Sequence, residues 1–175
     1  MHFTQTTLNG TYIIDIEPIE DERGYFARSF CSDEFLKHGL HSDFVQHNIS
    51  YNLKQGTIRG MHYQLPPYEE IKVVRCIKGT IFDVIVDLRP DSATYMQWFS
   101  VELSEDNARA IYIPKGFAHG FQSTTDNTIV LYLMSEFYHR GFEAGLRWDD
   151  ERLDIKWPIL NDIVISDRDS SLVYI

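Results

Sequence analysis

The chain has 175 residues, of which 43% are hydrophobic, and its formal net charge is −10. This length is enough to bury one core, so we expect residues 1–175 to form a single domain. Because a nucleic-acid backbone requires a basic surface, the acidic balance argues against a nucleic-acid partner, although a few local cations would suffice for a small anionic ligand.

Cysteine usage and hydropathy narrow the protein class further. Cys31 and Cys76 are the only cysteines, and neither lies in a CxxC motif, so no disulfide framework or zinc ribbon is expected. The first residues lack the basic and apolar regions of a signal peptide, and no apolar run is long enough to cross a membrane. We therefore expect a cytoplasmic protein with no membrane partner.

Short runs rich in β-branched and aromatic residues, bounded by Gly, Pro, Asp or Asn, predict most of the secondary structure. In chain order, the predicted strands span residues 11–19, 72–79, 80–89, 97–103, 109–114 and 127–138. Strands at this spacing are typical of a β-sandwich or a jelly-roll barrel. The expected fold class is therefore mainly β, with a few short helices.

One clear helix is predicted over residues 32–40. Ser32 can cap this helix, Phe35 and Leu36 can face the core, and Gly39 can end the helix. Two turns are also indicated, a tight hairpin turn at Lys78-Gly79 and another turn over residues 104–107.

The run Phe82-Asp83-Val84-Ile85-Val86 is apolar on both faces apart from one acid. Both sides of this strand should be covered, by the opposite sheet or by a second subunit. A buried Asp83 would be costly unless it is paired. Asp83 therefore either has a turn or edge partner or faces a polar pocket at the centre of the barrel.

Two histidines occur in motifs similar to those of cupins, a family of jelly-roll proteins. Gly56 and His62 are separated by five residues, which is the spacing of the first cupin motif. Residues 114–119 read P-x-G-x-x-H, as in the second cupin motif. A cupin jelly roll would bring both segments into one barrel. The position that carries a second histidine in metal cupins is Gln64 here.

The residues after Gln64 do not restore a metal site. Glu69 and Glu70 follow Pro66-Pro67, which is expected to turn the chain away. Two histidines and a glutamine are a poor set of ligands, since metals prefer imidazole and carboxylate. We expect no metal, and a barrel whose former metal site has become an acid–base site. A metal-dependent cupin enzyme remains the alternative.

Arg59 and His62 raise a question of strand geometry. On a regular strand His62 shares a face with Gly60 and Gln64, whereas Arg59 points to the other side. If both side chains serve one ligand, a bulge at Gly60 must redirect one of them. We therefore predict an irregularity at Gly60.

Eight segments, which together extend over almost the whole sequence, carry a resemblance to one family. They are DERGYFARSF (21–30), FVQHNIS (44–50), IRGMHYQ (58–64), KVVRCIKGTIFDVIVDLRPDS (72–92), IYIPKGFAHGFQS (111–123), LYLMSEFY (131–138), GLRWDDERLDIKWPI (145–159) and ISDRDSS (165–171). In this order and at these intervals, the chain resembles the dTDP-4-dehydrorhamnose 3,5-epimerase family of cupin-fold sugar-nucleotide epimerases.

The resemblance implies a cofactor-independent isomerase acting on a nucleotide-linked 4-keto-6-deoxy sugar, as in rhamnose-like deoxysugar biosynthesis. The ketone acidifies the hydrogens on C3 and C5, and epimerisation needs a base, an opposing acid and a donor to the enolate oxygen. The family motif assigns His62 as the base and Asp169 as its partner. Lys72 would stabilise the enolate, and Tyr132 would return a proton from the other face.

The family motif also assigns residues that bind the nucleotide. Arg59 and Arg23 would hold the pyrophosphate, since a guanidinium donates two parallel hydrogen bonds to phosphate. The remaining family positions around the base, ribose and sugar are Phe26, Arg28, Gln46, Asn48 and Tyr138. From their positions in the motifs, His119 and Asp83 would form a second polar layer near the catalytic base, His62.

Two positions depart from the family pattern. The chain has Arg28 where the family commonly has Glu, and His47 where it commonly has Asp. Exchanging an acid for a cation reverses the local hydrogen-bond polarity. The sequence therefore leaves open CDP- or GDP-linked substrates, and also inversion at C3 alone.

The family resemblance further implies a homodimer in which an N-terminal strand crosses to the partner. The apolar run Tyr12-Ile13-Ile14 suits such a strand, and Phe26 or its neighbours would complete the partner's site.

Other interpretations of the same residues stay open. His62 and Tyr132 could be core residues, Lys72, Arg23 and Asp169 could be surface charges, and Phe26 could be core. At the level of function, the alternatives are a ketoisomerase on the same fold and a non-catalytic sugar-nucleotide binding module.

Overall fold

Two β-sheets packed face to face form the body of the protein in the computed structural model, which describes residues 1–175. The strands are β1 (His2–Gln5), β2 (Tyr12–Asp15), β3 (Ile19–Asp21), β4 (Gly24–Phe26), β5 (Gln46–Asn52), β6 (Ile58–Gln64), β7 (Lys72–Lys78), β8 (Thr80–Asp87), β9 (Trp98–Ser104), β10 (Ala110–Ile113), β11 (Phe117–Ser123), β12 (Thr128–Met134) and β13 (Glu143–Gly145). The helices are α1 (Ser32–Lys37) and α2 (Asp167–Ser170).

The strand order shows how the chain alternates between the two sheets. One sheet has the order β1-β2-β10-β7-β12-β5, and the other has the order β13-β6-β11-β8-β9. All strand pairs are antiparallel, and β3 pairs only with β4 in a separate hairpin. The protein is a mainly β sandwich, which confirms the predicted fold class.

The core lies in three layers, one between the sheets and one on the outer face of each. The inner layer joins buried residues of both sheets, such as Val74 and Val130 from one and Ile85 and Phe121 from the other. The C-terminal segment covers the outer face of the five-stranded sheet, and α1 covers the outer face of the six-stranded sheet. Burial of these apolar surfaces is the main stabilising contribution, at about 25 cal/mol per Å².

Strand β8 shows why a run can be apolar on both faces. Ile81 and Ile85 face the inner layer, whereas Val84 and Val86 pack under Trp157 of the C-terminal segment. Both sides of β8 are therefore covered, as predicted.

The six predicted strands are all present, with ends shifted by a few residues. The predicted strand at 11–19 covers β2 and reaches the start of β3, and the predicted strand at 127–138 ends earlier, at Met134. Strands β1, β4, β5, β11 and β13 were not predicted. Residues 46–52 and 117–123 contain histidine, asparagine, glutamine and glycine among their apolar residues, so their pattern is weak.

The predicted hairpin at Lys78-Gly79 is wrong in its pairing. The chain does turn at Gly79, but β7 pairs with β10 and β12, whereas β8 pairs with β9 and β11. The turn therefore carries the chain from one sheet to the other. The second predicted turn is present, and it also links strands of different sheets, β9 and β10.

The predicted helix is shorter than expected and is capped differently. Cys31 is the residue before its first turn, so Ser32 is already helical and makes no cap. Phe35 is fully buried, but Leu36 is 62% exposed, which contradicts its predicted place in the core. Gly39 has a φ of +70° just after the helix and ends it as predicted.

The run Tyr12–Ile14 does not cross to a partner in this structure. Its strand β2 pairs with β10 of the same chain, and Ile14 is fully buried in the layer beneath α1. The exposed N-terminal element is instead the β3–β4 hairpin, all of whose residues are solvent-exposed.

Neither helix is long or apolar enough to cross a membrane.

Candidate active site

A cavity of about 330 Å³ opens between the two sheets at one end of the sandwich. Its walls come from β5, β7 and β12 on one side and from β6, β11 and β13 on the other. The sequence-predicted residues that line it are Gln46, Asn48, Arg59, His62, Lys72, His119, Tyr132 and Tyr138. The sandwich therefore collects at one place residues that are up to 92 positions apart in the chain.

A bulge in β6 brings Arg59 and His62 to the same cavity. His119 is opposite His62 and Phe121 is opposite Arg59, so three steps on β6 match two steps on β11. The extra residue shifts the alternation of side chains by one position. As a result, Ile58 and Met61 both pack on the outer face, and Arg59 and His62 both face the cavity. The predicted irregularity at Gly60 is confirmed.

Two glycines permit this bulge. Gly60 has a φ of +132°, and a Cβ built there would lie 2.5 Å from the Cα of Gly120 on β11. A Cβ on Gly120 would in turn lie 2.8 Å from the carbonyl oxygen of Arg59. The two strands approach so closely at this point that neither position has room for a side chain.

His62 forms a dyad with Asp169. The His62 Nε2 lies 2.8 Å from Asp169 Oδ1, and the backbone N–H of Gly60 donates to Asp169 Oδ2 over 3.1 Å. The His62 side chain is 41% exposed, whereas Asp169 is buried. The carboxylate is thus held inside the protein, and the imidazole is presented to the cavity.

Burial by itself would raise the pKa of the Asp169 carboxyl. The hydrogen bond from His62, the charge that this ring carries when protonated and the Gly60 N–H outweigh burial, so the pKa lies below its usual range. Asp169 is therefore ionised at neutral pH and accepts a hydrogen bond from the Nε2–H of His62. The Nδ1 atom of the neutral ring is then free to take a proton.

The C-terminal segment positions Asp169. The Ser166 side chain caps α2 by accepting the backbone N–H of Asp169. On either side of α2, Ile58 donates its N–H to Val164 over 2.8 Å, and Arg147 donates its N–H to Val173 over 2.9 Å. The surface loop that was the alternative interpretation of Asp169 is thus a docked element.

Lys72 lies at the start of β7, on the wall opposite His62. Its Nζ donates to the His62 carbonyl oxygen over 3.1 Å and pairs with Glu70 Oε1 at 3.0 Å. The lysine is 7% exposed, so it is not the solvated surface charge that was considered as an alternative. A buried ammonium group at this place supplies a positive charge to the cavity.

Tyr132 lies on β12 and faces His62 across the cavity, since the two residues belong to different sheets. Burial raises the pKa of the Tyr132 phenol, and the negative charge of Asp83 acts in the same direction. The phenol therefore keeps its proton at neutral pH. A donor and an acceptor of protons thus stand on opposite walls.

Asp83 and His119 form a second buried pair behind the cavity. His119 Nε2 lies 2.8 Å from Asp83 Oδ2, and the ring of His119 is edge-on to Tyr132 at a centroid distance of 6.0 Å. Burial raises the pKa of Asp83, although His119 opposes this shift. Asp83 lies in the middle of β8, between β9 and β11, so a turn or edge partner is excluded, but the residue does not itself line the cavity.

Arg59 is anchored at the rim of the cavity. Its Nε donates to Asn52 Oδ1 over 2.7 Å, and one terminal nitrogen donates to the Tyr51 carbonyl over 3.2 Å. The residue is otherwise exposed. Close by, Gln46 donates to Asn48 Oδ1 over 3.1 Å and accepts the N–H of Tyr138 over 3.3 Å.

Three predicted binding residues lie outside this cavity. Arg23 and Phe26 belong to the β3–β4 hairpin, where the Arg23 side chain is 83% exposed and Phe26 is 76% exposed. Arg28 pairs with Glu34 at 3.0 Å. His47, at the second position that departs from the family pattern, is exposed on β5 and does not line the cavity either.

The cavity also contains charged residues that sequence reasoning did not place there, namely Glu70, Glu136, Glu143 and Arg168. Glu143 and Arg168 approach each other at 3.9 Å. Arg168 is adjacent to Asp169, and Glu70 is two positions before Lys72. This proximity to an assigned residue is the only sequence feature that could have placed them in the cavity. No feature of the sequence pointed to Glu136 or Glu143.

The side-chain amide of Gln64 is hydrogen-bonded to backbone groups. Its amide donates to the carbonyls of Tyr68 and Phe137 and accepts the N–H of His139. It therefore fixes the loops beside the cavity. The described residues contain no cluster of three or more His, Cys, Asp or Glu side chains at metal-binding distance.

Comparison with known proteins agrees with this geometry. The family model of dTDP-4-dehydrorhamnose 3,5-epimerase matches residues 5–175. The chain belongs to this family. Its members are isomerases that epimerise a sugar nucleotide, which confirms the resemblance seen in the sequence.

Individual relatives are similar over nearly their whole length. The dTDP-4-dehydrorhamnose 3,5-epimerase of Methanothermobacter thermautotrophicus is 44% identical over 95% of this chain and 90% of its own. The crystal structure of the Bacillus anthracis enzyme, with TDP and PPi bound, has a TM-score of 0.96 at 38% identity and covers 99% of both chains. The Legionella pneumophila epimerase, in complex with dTDP-4-keto-L-rhamnose, has a TM-score of 0.94 at 34% identity and covers 99% of this chain and 92% of its own.

Proposed function

We propose that the protein converts dTDP-4-keto-6-deoxyglucose into dTDP-4-keto-L-rhamnose by inverting C3 and C5 through enolate intermediates. The observation that carries the proposal is the placement of an imidazole–carboxylate dyad and a phenol on opposite walls of one cavity. Inversion requires removal of a proton from one face of the carbon and delivery to the other. The proposed reaction needs no cofactor, because the proton is removed and returned at the same carbon.

The first step is removal of the C3 proton by Nδ1 of His62. The Nε2–H of His62 remains bonded to Asp169, whose negative charge stabilises the imidazolium that forms. The electron pair of the broken C–H bond moves into the ring and gives an enolate oxygen at C4. This step has the same form at C5, since both hydrogens are next to the C4 ketone.

Lys72 is the group best placed to stabilise the enolate. Its ammonium is buried at the cavity wall, where a positive charge has a stronger effect than in water. Tyr132 then transfers its phenolic proton to the opposite face of the carbon, which completes the inversion. Proton exchange with solvent returns His62 and Tyr132 to their starting states.

The nucleotide is proposed to lie toward the rim of the cavity. Arg59 would hold the pyrophosphate there, with Gln46, Asn48 and Tyr138 along the base and ribose. The ligands of the Bacillus anthracis and Legionella pneumophila proteins, TDP and dTDP-4-keto-L-rhamnose, support a thymidine nucleotide over the CDP- and GDP-linked alternatives. Arg28 and His47 are the positions at which this preference is to be tested.

We further propose a homodimer in which the β3–β4 hairpin of each subunit completes the partner's site. The hairpin pairs with no other strand of its own chain, and it carries Arg23 and Phe26. At the β5 edge of the sandwich, the apolar residues Ile49, Tyr51 and Leu53 are exposed in the single chain. Such an edge is expected to be covered by a second subunit. Arg23 would then act as the second cation on the pyrophosphate. A cytoplasmic location stays a prediction from the sequence.

The test is proton NMR of dTDP-4-keto-6-deoxyglucose with the enzyme in D2O. We expect loss of both the H3 and the H5 signals and the appearance of dTDP-4-keto-L-rhamnose. Loss of H3 alone would show a C3-only epimerase, and movement of the carbonyl would show a ketoisomerase. If neither signal is lost, and CDP- and GDP-linked 4-keto sugars also keep theirs, the proposed function is wrong.

A further inference from the structure

Glu70 is a buried acid whose two carboxylate oxygens have different environments. It lies just before β7 and lines the cavity, and it is 8% exposed. Oε1 pairs with the Lys72 ammonium at 3.0 Å. Oε2 is buried as well but has no hydrogen-bond partner anywhere in the protein.

A buried carboxylate oxygen without a donor is energetically unfavourable. The neighbouring donor is already engaged, because Lys72 bonds to Oε1 and to the His62 carbonyl. Since Glu70 forms part of the cavity wall, a bound molecule is the natural source of the missing donor. Only Asp83 shares this feature, with one unpartnered buried oxygen, and its other oxygen is bonded to His119.

We propose that Oε2 of Glu70 accepts a hydrogen bond from the C3 hydroxyl of the sugar and so selects substrates that carry this hydroxyl. The inference rests on the proposed function, in which Lys72 holds the C4 oxygen. The C3 hydroxyl is the neighbour of that oxygen on the sugar ring, and Glu70 is the neighbour of Lys72 on the wall. The Glu70–Lys72 pair thus matches the adjacent hydroxyl and carbonyl oxygens of the substrate.

This arrangement also explains why an acid stands beside the group that stabilises an enolate. A carboxylate so close to the developing negative charge would oppose the reaction if it faced that charge directly. Bonded to Lys72 through one oxygen and to a hydroxyl through the other, it orients the ammonium and the sugar together. A site built to accept a hydroxyl discriminates strongly against an analogue that lacks it.

The experiment compares Glu70→Gln with wild type on three substrates. These are dTDP-4-keto-6-deoxyglucose and its 3-deoxy and 2-deoxy analogues, and the readout is kcat/KM for H5 exchange in D2O, which all three permit. The glutamine keeps the shape and one acceptor for Lys72, but its NH2 replaces an acceptor by a donor. The matched control is Glu69→Gln, which removes the same charge from a neighbour outside the cavity.

We expect wild type and Glu69→Gln to prefer the parent sugar over the 3-deoxy analogue. In Glu70→Gln this preference should fall by about tenfold or more, because the lost bond is one to a charged group. The preference over the 2-deoxy analogue should stay within about twofold of wild type. Thermal unfolding of the variants confirms that the folded protein is compared.

Three results would overturn the proposal. The first is equal loss on the parent and 3-deoxy sugars, which would leave Glu70 as a positioning residue for Lys72 alone. The second is a change confined to the 2-deoxy analogue. The third needs no variant, namely a wild-type enzyme that exchanges the parent and the 3-deoxy analogue equally well. Failure of the proposed function is distinct, since wild type would then exchange neither H3 nor H5 of the parent.

Discussion

His62 owes its chemical character to a carboxylate 107 positions further along the chain. Its Nε2 is fixed by Asp169, and the other ring nitrogen is left to act on a ligand. His119 makes a similar contact with Asp83, but its side chain is only 5% exposed. The two imidazole–carboxylate pairs on neighbouring strands therefore differ in access, since the His62 side chain is 41% exposed.

Replacement of the base should abolish catalysis and spare binding. In His62→Ala we expect H3 and H5 exchange to fall by about 10²–10⁴-fold, because general base catalysis is lost. The affinity for dTDP, measured by isothermal titration calorimetry, should remain within about threefold of wild type. The control is His2→Ala, a 71% exposed histidine on the edge strand β1. Normal turnover by His62→Ala would show that the base is another residue.

A second residue-scale prediction concerns Asp87, which is fully buried at the end of β8. Burial would raise its pKa, but hydrogen bonds from Arg89, Ser92 and Thr94 outweigh burial and hold the pKa below its usual range. The folded-state pKa is therefore below the unfolded value of about 3.9. The resulting stabilisation is fully present above that value and is lost as the pH falls toward the folded-state pKa.

Asp87→Asn should accordingly lower the free energy of unfolding at pH 7 by about 2–3 kcal/mol, since bonds to a charged acceptor are lost. Urea unfolding at pH 7 and pH 3 measures this, and the difference from wild type should narrow at the lower pH. Asp91→Asn, in the same loop but exposed, is the control. A difference that is the same at both pH values would contradict the ionic origin of the effect.

At the scale of elements, the bulge in β6 is what makes the site possible. Without it, Arg59 and His62 would project to opposite sides of the sheet. The close approach of Gly60 to Gly120 is therefore a requirement of the site, and a side chain at this point should disturb both the fold and the ligand contacts.

Gly60→Ala should lower the free energy of unfolding by at least about 2–4 kcal/mol, through backbone strain and overpacking together. Gly141→Ala is a matched comparison, because Gly141 also has a positive φ, of +90°, but nothing within 4 Å of a Cβ. Strain alone should cost Gly141→Ala about 1–2 kcal/mol. Chemical denaturation of both variants decides the matter, and equal losses would show that the contact with Gly120 has no role.

Local patterns predicted the elements better than their arrangement. The bulge could be predicted because Arg59 and His62 conflict with strand alternation within a few residues. The pairing at Lys78-Gly79 could not, because a turn signal does not show whether the flanking strands pair or separate into two sheets. Leu36 was misplaced since a six-residue helix buries only a narrow stripe.

The candidate site, too, could be predicted only in part from the sequence. The family motif located His62, Lys72, Tyr132 and Asp169, but the residues alone showed only that their types suited the chemistry. The unpaired oxygen of Glu70 depends on side-chain geometry around a buried lysine, which no spacing in the sequence encodes.

For the whole molecule, the proposed dimer predicts that one chain alone does not hold a complete nucleotide site. Arg23 is paired only with Asp21 of its own hairpin, and it lies outside the cavity that contains Arg59. The proposed dimer would bring it to the partner's pyrophosphate.

Subunit complementation tests this arrangement. His62→Ala and Arg23→Ala homodimers should each be impaired, whereas a mixed dimer has one site with both residues intact. We expect coexpression and purification of the mixed dimer to restore up to about half of the wild-type kcat/KM. Sedimentation analysis confirms the dimer. A mixed dimer no more active than its parents would show that Arg23 acts within its own subunit, or not at all.

The docking of the C-terminal segment also has a consequence for biosynthesis of the enzyme. The strands that carry His62, Lys72 and Tyr132 leave the ribosome well before residue 169, and a domain is made at about 5–20 residues per second. Until α2 has docked, the imidazole lacks the carboxylate that fixes its tautomer. A chain in which this segment has not yet docked would thus lack both the partner of His62 and the cavity residue Arg168.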